Sequence, residues 1–201
     1  TGFHVTTPSS FALQKLLYRI VRENMEYVVM EVTSHGIDQN RVWGITPSIA
    51  GITNVTHEHL DYHKTYDRYL TTKAQLLLRA QSGFLNMDAI ESFEKLKTIL
   101  ESAHHAYETY NTDTLHKNIA AAVRKRFGTQ QYNFENAALA SAVARKLDIS
   151  EKTVANAIIH FRGVPGRMQS IPNRLGFHII VDFAHTPHAL EEALQAVTNK
   201  K

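Results

Sequence analysis

The chain has 201 residues, 43% hydrophobic and 20% charged, enough for one well-buried domain or one domain plus part of another. Its 22 basic and 19 acidic residues leave a net charge of +3, too small and too scattered for a nucleic-acid partner, and no apolar run reaches the length of a membrane span. Without cysteine there are no disulfides or thiolate metal sites, which suits a reducing cytosol, and no signal peptide opens the chain.

Thr7 as N-cap with Pro8 at the first helical position starts a predicted helix, its buried face formed by Leu13, Leu16, Leu17, Ile20 and Val21. Tyr27 to Met30 is a continuous apolar run and predicts a strand covered on both sides, as in a parallel sheet. A second strand is expected over Ser48 to Thr53. After a His-rich loop at 57–63, Tyr66 to Leu78 reads as a helix. Phe84-Leu85 closes a short strand, and Asp88 to Leu100 reads as another helix. Residues 104–131 show no clear period. Helices return at 134–147 and, capped by Ser150, at 151–161, with Val154, Ala157, Ile158 and Phe161 as the stripe.

Gly163 to Gly166 and Ile171-Pro172-Asn173 then punctuate a turn-rich passage that reads as a domain boundary. We expect one domain over 1–170 and the beginning of a second over 171–201. His178 to Val181 predicts a strand, and Thr186-Pro187 caps a helix with Leu190, Ala193, Leu194 and Val197 on one face. Strands alternating with helices predict an α/β fold with a mostly parallel sheet.

Ligands bind beyond the carboxyl ends of strands in such sheets. Three predicted strands end in polar residues, Glu31, Asn54 and Asp182, which suggests a shared site. Lys73 falls on the apolar stripe of its helix with Tyr66, Tyr69, Leu70 and Leu77. Either its stem packs while its ammonium reaches water, or the amine is chemically changed or paired with a charged ligand. Desolvation lowers a lysine pKa, and a neutral amine can take up carbon dioxide as a carbamate able to bind a cation. The run His57-Glu58-His59-Leu60-Asp61-Tyr62-His63 is rich in groups that ligate metal or move protons. It lacks the second histidine of a zinc-protease helix, and carboxylate plus a single histidine better suits magnesium held partly by phosphate oxygens.

Read together, these segments resemble the Mur ligase family. Met30 to Gly36 with Gln39 and Arg41 is similar to "MEVSSH…Q.R". Thr53-Asn54 leading to His59-Leu60-Asp61-Tyr62-His63, Tyr69 and Lys73 is similar to "TN…DHLDYH…Y…K". Asn133 with Asn136-Ala137, Gly166-Arg167-Met168 and Val181 to Pro187 resemble "FN..NA", "GRME" and "VDYAHTP", and Thr6-Thr7-Pro8 matches "TTP". The wording is most similar to the subfamily that extends UDP-N-acetylmuramoyl-L-alanyl-D-glutamate. The resemblance implies an ATP-dependent amide-bond-forming ligase of peptidoglycan synthesis, cytoplasmic and monomeric, using ATP and magnesium. Its partners would be a UDP-muramoyl peptide and an amino acid, L-lysine or diaminopimelate.

By the same resemblance Glu31 and His59 hold magnesium, and Lys73 is a carbamylated lysine supporting a second metal. Thr6, Thr7, Thr33, Ser34, Gln39, Arg41 and Asn54 hold the muramoyl substrate. Asn136, Arg167, Asp182 and His185 face the nucleotide. The sequence departs from the pattern in lacking the "GKT" phosphate loop, in ending one helix into the second domain, and in a short segment 104–131. These departures lead us to expect an incomplete chain. Thr33 for Ser, Glu58 for Asp and Phe183 for Tyr are smaller changes. The alternatives are another ligase of the superfamily (acting on folate, cyanophycin or another muramoyl step), a non-catalytic binding protein of the same fold, and a zinc hydrolase built on 57–63.

Overall fold

A computed structural model describes residues 6–198. Along the chain come α1 (Ser10–Arg22), α2 (Ser34–Asp38), β1 (Ile49–Ile52), α3 (Leu60–His63), α4 (Tyr66–Arg79), β2 (Ser82–Asn86) and α5 (Ile90–Ser102). They are followed by β3 (Tyr107–Tyr110), α6 (Lys117–Phe127), α7 (Gln131–Lys146), α8 (Glu151–His160), β4 (Gln169–Ile171), β5 (Ile179–Val181) and α9 (Pro187–Thr198). The class is α/β. Two compact units form, one from residues 1–115 and 135–148, the other from 116–134 and 149–201, residues 1–5 and 199–201 lying outside the described part.

The first unit is built on a parallel sheet in the order β1-β2-β3, with Gly51 paired to Phe84 and Phe84 to Glu108. Sequential strand order with parallel pairing sends α4 and α5 back across the same face. That face carries the main core, in which Ala50, Ile52 and Leu85 of the strands meet Tyr69, Leu70 and Leu77 of α4 and Leu96 and Leu100 of α5. The strand period of two turns Phe84 and Tyr110 to the opposite face, against Ala138 and Ala142 of α7. Gly51 allows this helix to approach, since a Cβ there would meet Leu139 at 2.7 Å. A third cluster joins Leu13 of α1 to Ile37 and Val42, with Met30 and Val32 at its margin.

Several expectations are corrected. The first helix starts at Ser10 with Ser9 as N-cap; Thr7 lies before it and is buried. Only Leu13 of its predicted face is buried, while Leu16 and Val21 are exposed. Residues 27–30 form no strand. They have no ladder partner among the described residues; Met30 packs at the margin of the Leu13 cluster, and Val29 is fully exposed. The unreadable segment 104–131 holds β3 and α6. In β3 Tyr110 is buried and Tyr107 packs at the edge of the main core, and α6 buries Ile119, Ala122 and Val123.

In the second unit α6 packs on α8, and β4 pairs antiparallel with β5. The strand β4 occupies part of the passage read as turns. The buried residue of α8 is Ala155; Ala157 and Phe161 of the predicted stripe are exposed. In α9 the buried residue is Ala196, whereas Leu190, Leu194 and Val197 are exposed. Thr186 does cap this helix, its Oγ1 accepting from Ala189 N at 3.3 Å.

Candidate functional site

The loop beyond the carboxyl end of β1 carries Asn54 and His59, and Lys73 of α4 reaches it. Four successive carbonyls leave that strand with no ladder to enter, and each accepts from a side chain. Tyr110 Oη donates to Ile52 O at 2.9 Å, Asn86 Nδ2 to Thr53 O at 2.8 Å, Lys73 Nζ to Asn54 O at 3.3 Å and Tyr66 Oη to Val55 O at 3.1 Å. The carbonyls of Ile52 and Val55 are held by buried bonds, and together the four side chains brace the path of the chain into the His-rich loop.

Lys73 belongs to the buried stripe of α4, as its spacing predicts, and is itself half-buried. Its Nζ lies 5.2 Å from the centroid of the Tyr69 ring and makes no ion pair among the described residues. Burial lowers its pKa, and Glu58 opposes this in part. The neighbouring Tyr69 phenol is pushed up to about 12, first by burial and then by Glu58, and stays protonated.

The loop 57–63 spreads its histidines in three directions. His57 stacks on Tyr66 at 4.4 Å and pairs with Glu91 of α5 at 3.3 Å. His59 is exposed, at φ 57° and ψ 26°, a left-handed conformation that starts the short α3 and turns the ring toward His35 at 5.4 Å and Tyr69 at 5.7 Å. His63 is buried, with Nε2 at 2.9 Å from Ser34 Oγ and its ring stacked on Tyr69 at 5.1 Å. Burial, then the adjacent His35, lowers its pKa. Among the described residues no three His, Asp or Glu side chains converge as a metal cluster. This arrangement does not favour the zinc-hydrolase alternative, since His57 is committed to α5 and His63 to Ser34.

The predicted substrate residues form a connected group. Thr33 caps α2, its Oγ1 accepting from Gly36 N at 3.1 Å, and Thr33 N donates to Thr7 Oγ1 at 3.0 Å. Arg41 donates through Nη1 to Thr7 O at 2.7 Å, and through Nε and Nη2 to Gln39 Oε1 at 3.0 and 2.6 Å. A continuous run of contacts leads from Gln39 through Tyr62, His35 and His59 to Tyr69 and Lys73. Thr6 is exposed, and Asn54 contributes its carbonyl. Glu31 is exposed, with its carboxylate unbonded among the described residues, and it does not end a strand. His35 and Asp38 carry no predicted site role, and His63, a candidate metal or proton group in the run 57–63, instead bonds Ser34.

Asn136 is exposed on α7. The other predicted nucleotide residues belong to the second unit, so the shared edge expected for Glu31, Asn54 and Asp182 does not form within one sheet. Both oxygens of Asp182 accept backbone hydrogens, from Met168 N at 2.7 Å and Ala184 N at 2.8 Å, so the carboxylate braces its own loop. Arg167 places its guanidinium 4.7 Å over the Phe183 ring, and His185 donates from Nδ1 to Phe183 O at 3.0 Å.

A family model described as the Mur ligase middle domain matches residues 2–159. Among curated relatives, UDP-N-acetylmuramoyl-L-alanyl-D-glutamate--2,6-diaminopimelate ligase of Clostridium botulinum is 36% identical over 95% of this chain and 43% of its own length. UDP-N-acetylmuramyl-tripeptide synthetase of Deinococcus radiodurans is 31% identical over 95% of this chain and 42% of its own. The chain thus spans less than half the length of these relatives. Its fold is similar to that of MurF from Acinetobacter baumannii, at TM-score 0.59 and 17% identity over 78% of this chain and 38% of that one. It is similar also to a mutant of L. casei FPGS, at TM-score 0.61 and 14% identity over 94% and 57%.

Proposed function

The chain belongs to the Mur ligase family through its middle domain, and from that premise we propose that it works in an ATP-dependent ligase of peptidoglycan synthesis. The bond formed joins the terminal carboxylate of UDP-N-acetylmuramoyl-L-alanyl-D-glutamate to the amino group of a third amino acid, a diamino acid. ATP transfers its terminal phosphoryl group to that carboxylate; the amine then attacks the acyl carbon, and phosphate leaves. The names of the relatives, given to proteins that act on the same muramoyl peptide, support this substrate.

The observation that carries the reading is the guanidinium of Arg41, fastened by Gln39 and Thr7 at one end of a run of contacts whose other end is the desolvated Lys73. A pre-oriented guanidinium recognises an anionic peptide or phosphate through paired N–H donors. The exposed Glu31 carboxylate and His59 imidazole offer oxygen and nitrogen ligands that make no hydrogen bond or ion pair among the described residues. They suit magnesium that takes its remaining ligands from phosphate oxygens and water. Magnesium would supply charge neutralisation there. Lys73 carries the carbamate in this reading, its amine made reactive by desolvation. Thr6, Thr7, Thr33, Ser34, Gln39, Arg41 and Asn54 hold the muramoyl substrate, and Asn136, Arg167, Asp182 and His185 attend the nucleotide. The family division into 1–170 and 171–201 is part of the same proposal.

The test is phosphate release by the whole protein with ATP, magnesium and the UDP-muramoyl dipeptide, with lysine or diaminopimelate supplied separately. Release that needs both the nucleotide sugar and one amino acid is expected. A folded protein that binds the UDP-muramoyl dipeptide but releases no phosphate would point to the binding-protein alternative.

A further inference from the structure

Arg41 owes its position to a hydrogen-bond chain whose direction is fixed at the far end by Asp38. The Asp38 carboxylate can only accept, and Tyr62 Oη lies 2.7 Å from Asp38 Oδ2, so the single phenolic proton points at Asp38. Tyr62 therefore has only lone pairs left for Gln39, whose Nε2 lies 3.4 Å away. This favours the Gln39 amide with its NH2 toward Tyr62 and its oxygen toward Arg41, the same orientation that the donor-only guanidinium requires. Gln39 Oε1 then receives both Nε and Nη2 of Arg41, at 3.0 and 2.6 Å, and the third bond, to Thr7 O, completes the grip. An amide turned the other way would set its NH2 against the guanidinium, donor against donor.

We infer that Tyr62 is a positioning residue: with Asp38 it sets the polarity of Gln39 and so aims the free N–H edge of Arg41 at an anionic group of the substrate. Nothing in the chain requires Tyr62 to touch that substrate. The part concerning substrate rests on the ligase reading; the hydrogen-bond polarity does not.

Two measurements on the whole protein separate these. The first needs no substrate: hydrogen exchange at Arg41 Nε–H, followed by NMR with labelled arginine. Tyr62→Phe keeps the ring against His35 and removes only the hydroxyl, and it is expected to speed that exchange roughly three- to tenfold, the equivalent of one neutral hydrogen bond. Unchanged exchange overturns the inference, whatever the enzyme does. The second is steady-state kinetics, where Tyr62→Phe is expected to raise KM for the UDP-muramoyl dipeptide by a similar factor with kcat held. The effect should vanish in a Gln39→Glu background, because a carboxylate has no wrong way round. Equal KM loss in both backgrounds assigns Tyr62 a merely structural role. If the wild type shows no turnover but exchange responds as expected, the ligase reading fails and the polarity chain stands.

Discussion

Lys73 Nζ donates to the carbonyl of Asn54, 19 residues away, at 3.3 Å, and with the Tyr66 bond to Val55 O it ties the buried stripe of α4 to the loop that leaves β1. A half-buried ammonium with a carbonyl and a ring face as neighbours is poorly compensated for the water it has lost.

That geometry separates stability from activity. Burial lowers the Lys73 pKa, so the charged form disfavours folding at neutral pH, and Lys73→Met should be as stable as the parent or more stable by about 0.5–2 kcal/mol. The same variant should lose at least about a hundredfold in turnover if the residue organises the reacting groups. Thermal melts and phosphate release check the two halves. With carbon-13 bicarbonate the wild type should show a carbamate resonance that Lys73→Met lacks; a spectrum without it removes the carbamate from the proposal.

His63 makes stability sensitive to acid. Its pKa is lowered from 6.5 by burial and then by His35, so below about pH 6.5 the unfolded chain binds protons that the folded chain refuses. Its contribution is complete above the unfolded value and is lost as pH falls toward the folded one. The melting temperature should therefore fall more steeply from about pH 6.5 to pH 5 in the wild type than in His63→Gln. Parallel curves would assign the acid sensitivity to other groups.

Two glycines at close approaches should respond differently to alanine. At Gly36 an added Cβ meets Thr7 Cβ, Cγ2 and Oγ1, all at 2.8 Å, and a Cβ-branched side chain bonded to Thr33 cannot swing away. Gly36→Ala should cost about 1–3 kcal/mol. At Gly51 the obstacle is the end of Leu139, which can change rotamer, so Gly51→Ala should cost less. Chemical denaturation of both ranks them, and a reversed order would mean that the α7 face is the less yielding.

In the second unit His116 is the N-cap of α6, its Nδ1 accepting from Asn118 N at 3.3 Å. The proton must then sit on Nε2, which faces the Glu151 carboxylate at 3.0 Å. His116→Ala should speed amide exchange in the first turn of α6 by roughly fivefold, a lost cap of about 1 kcal/mol. Glu151→Gln leaves an amide oxygen able to accept from Nε2–H and should change exchange much less.

The sequence by itself determined the elements whose signal is local. The stripe Tyr66, Tyr69, Leu70 and Leu77 repeats every three or four residues and marks α4, together with the anomalous Lys73 inside it. The Ser150 cap marks α8, and an ordered series of motifs carried the family. Short elements escaped, because Tyr107 and Tyr110 of the four-residue β3 pack on opposite faces and give no period to detect. The apolar run at 27–30 misled for the complementary reason: hydrophobicity predicts burial only if a partner strand lies beside it.

What only the tertiary structure decided is which polar groups spend their hydrogen bonds on each other. Thr7 reads as a helix cap, yet it lies against Thr33, 26 residues on, and its carbonyl holds Arg41, 34 residues on. Asp182 follows the apolar run 178–181, and only packing shows that its carboxylate also accepts from Met168 N and Ala184 N. Period and capping rules act over a single turn of chain, whereas a donor finds its acceptor through packing that brings distant segments within 3 Å, and no local pattern encodes that approach.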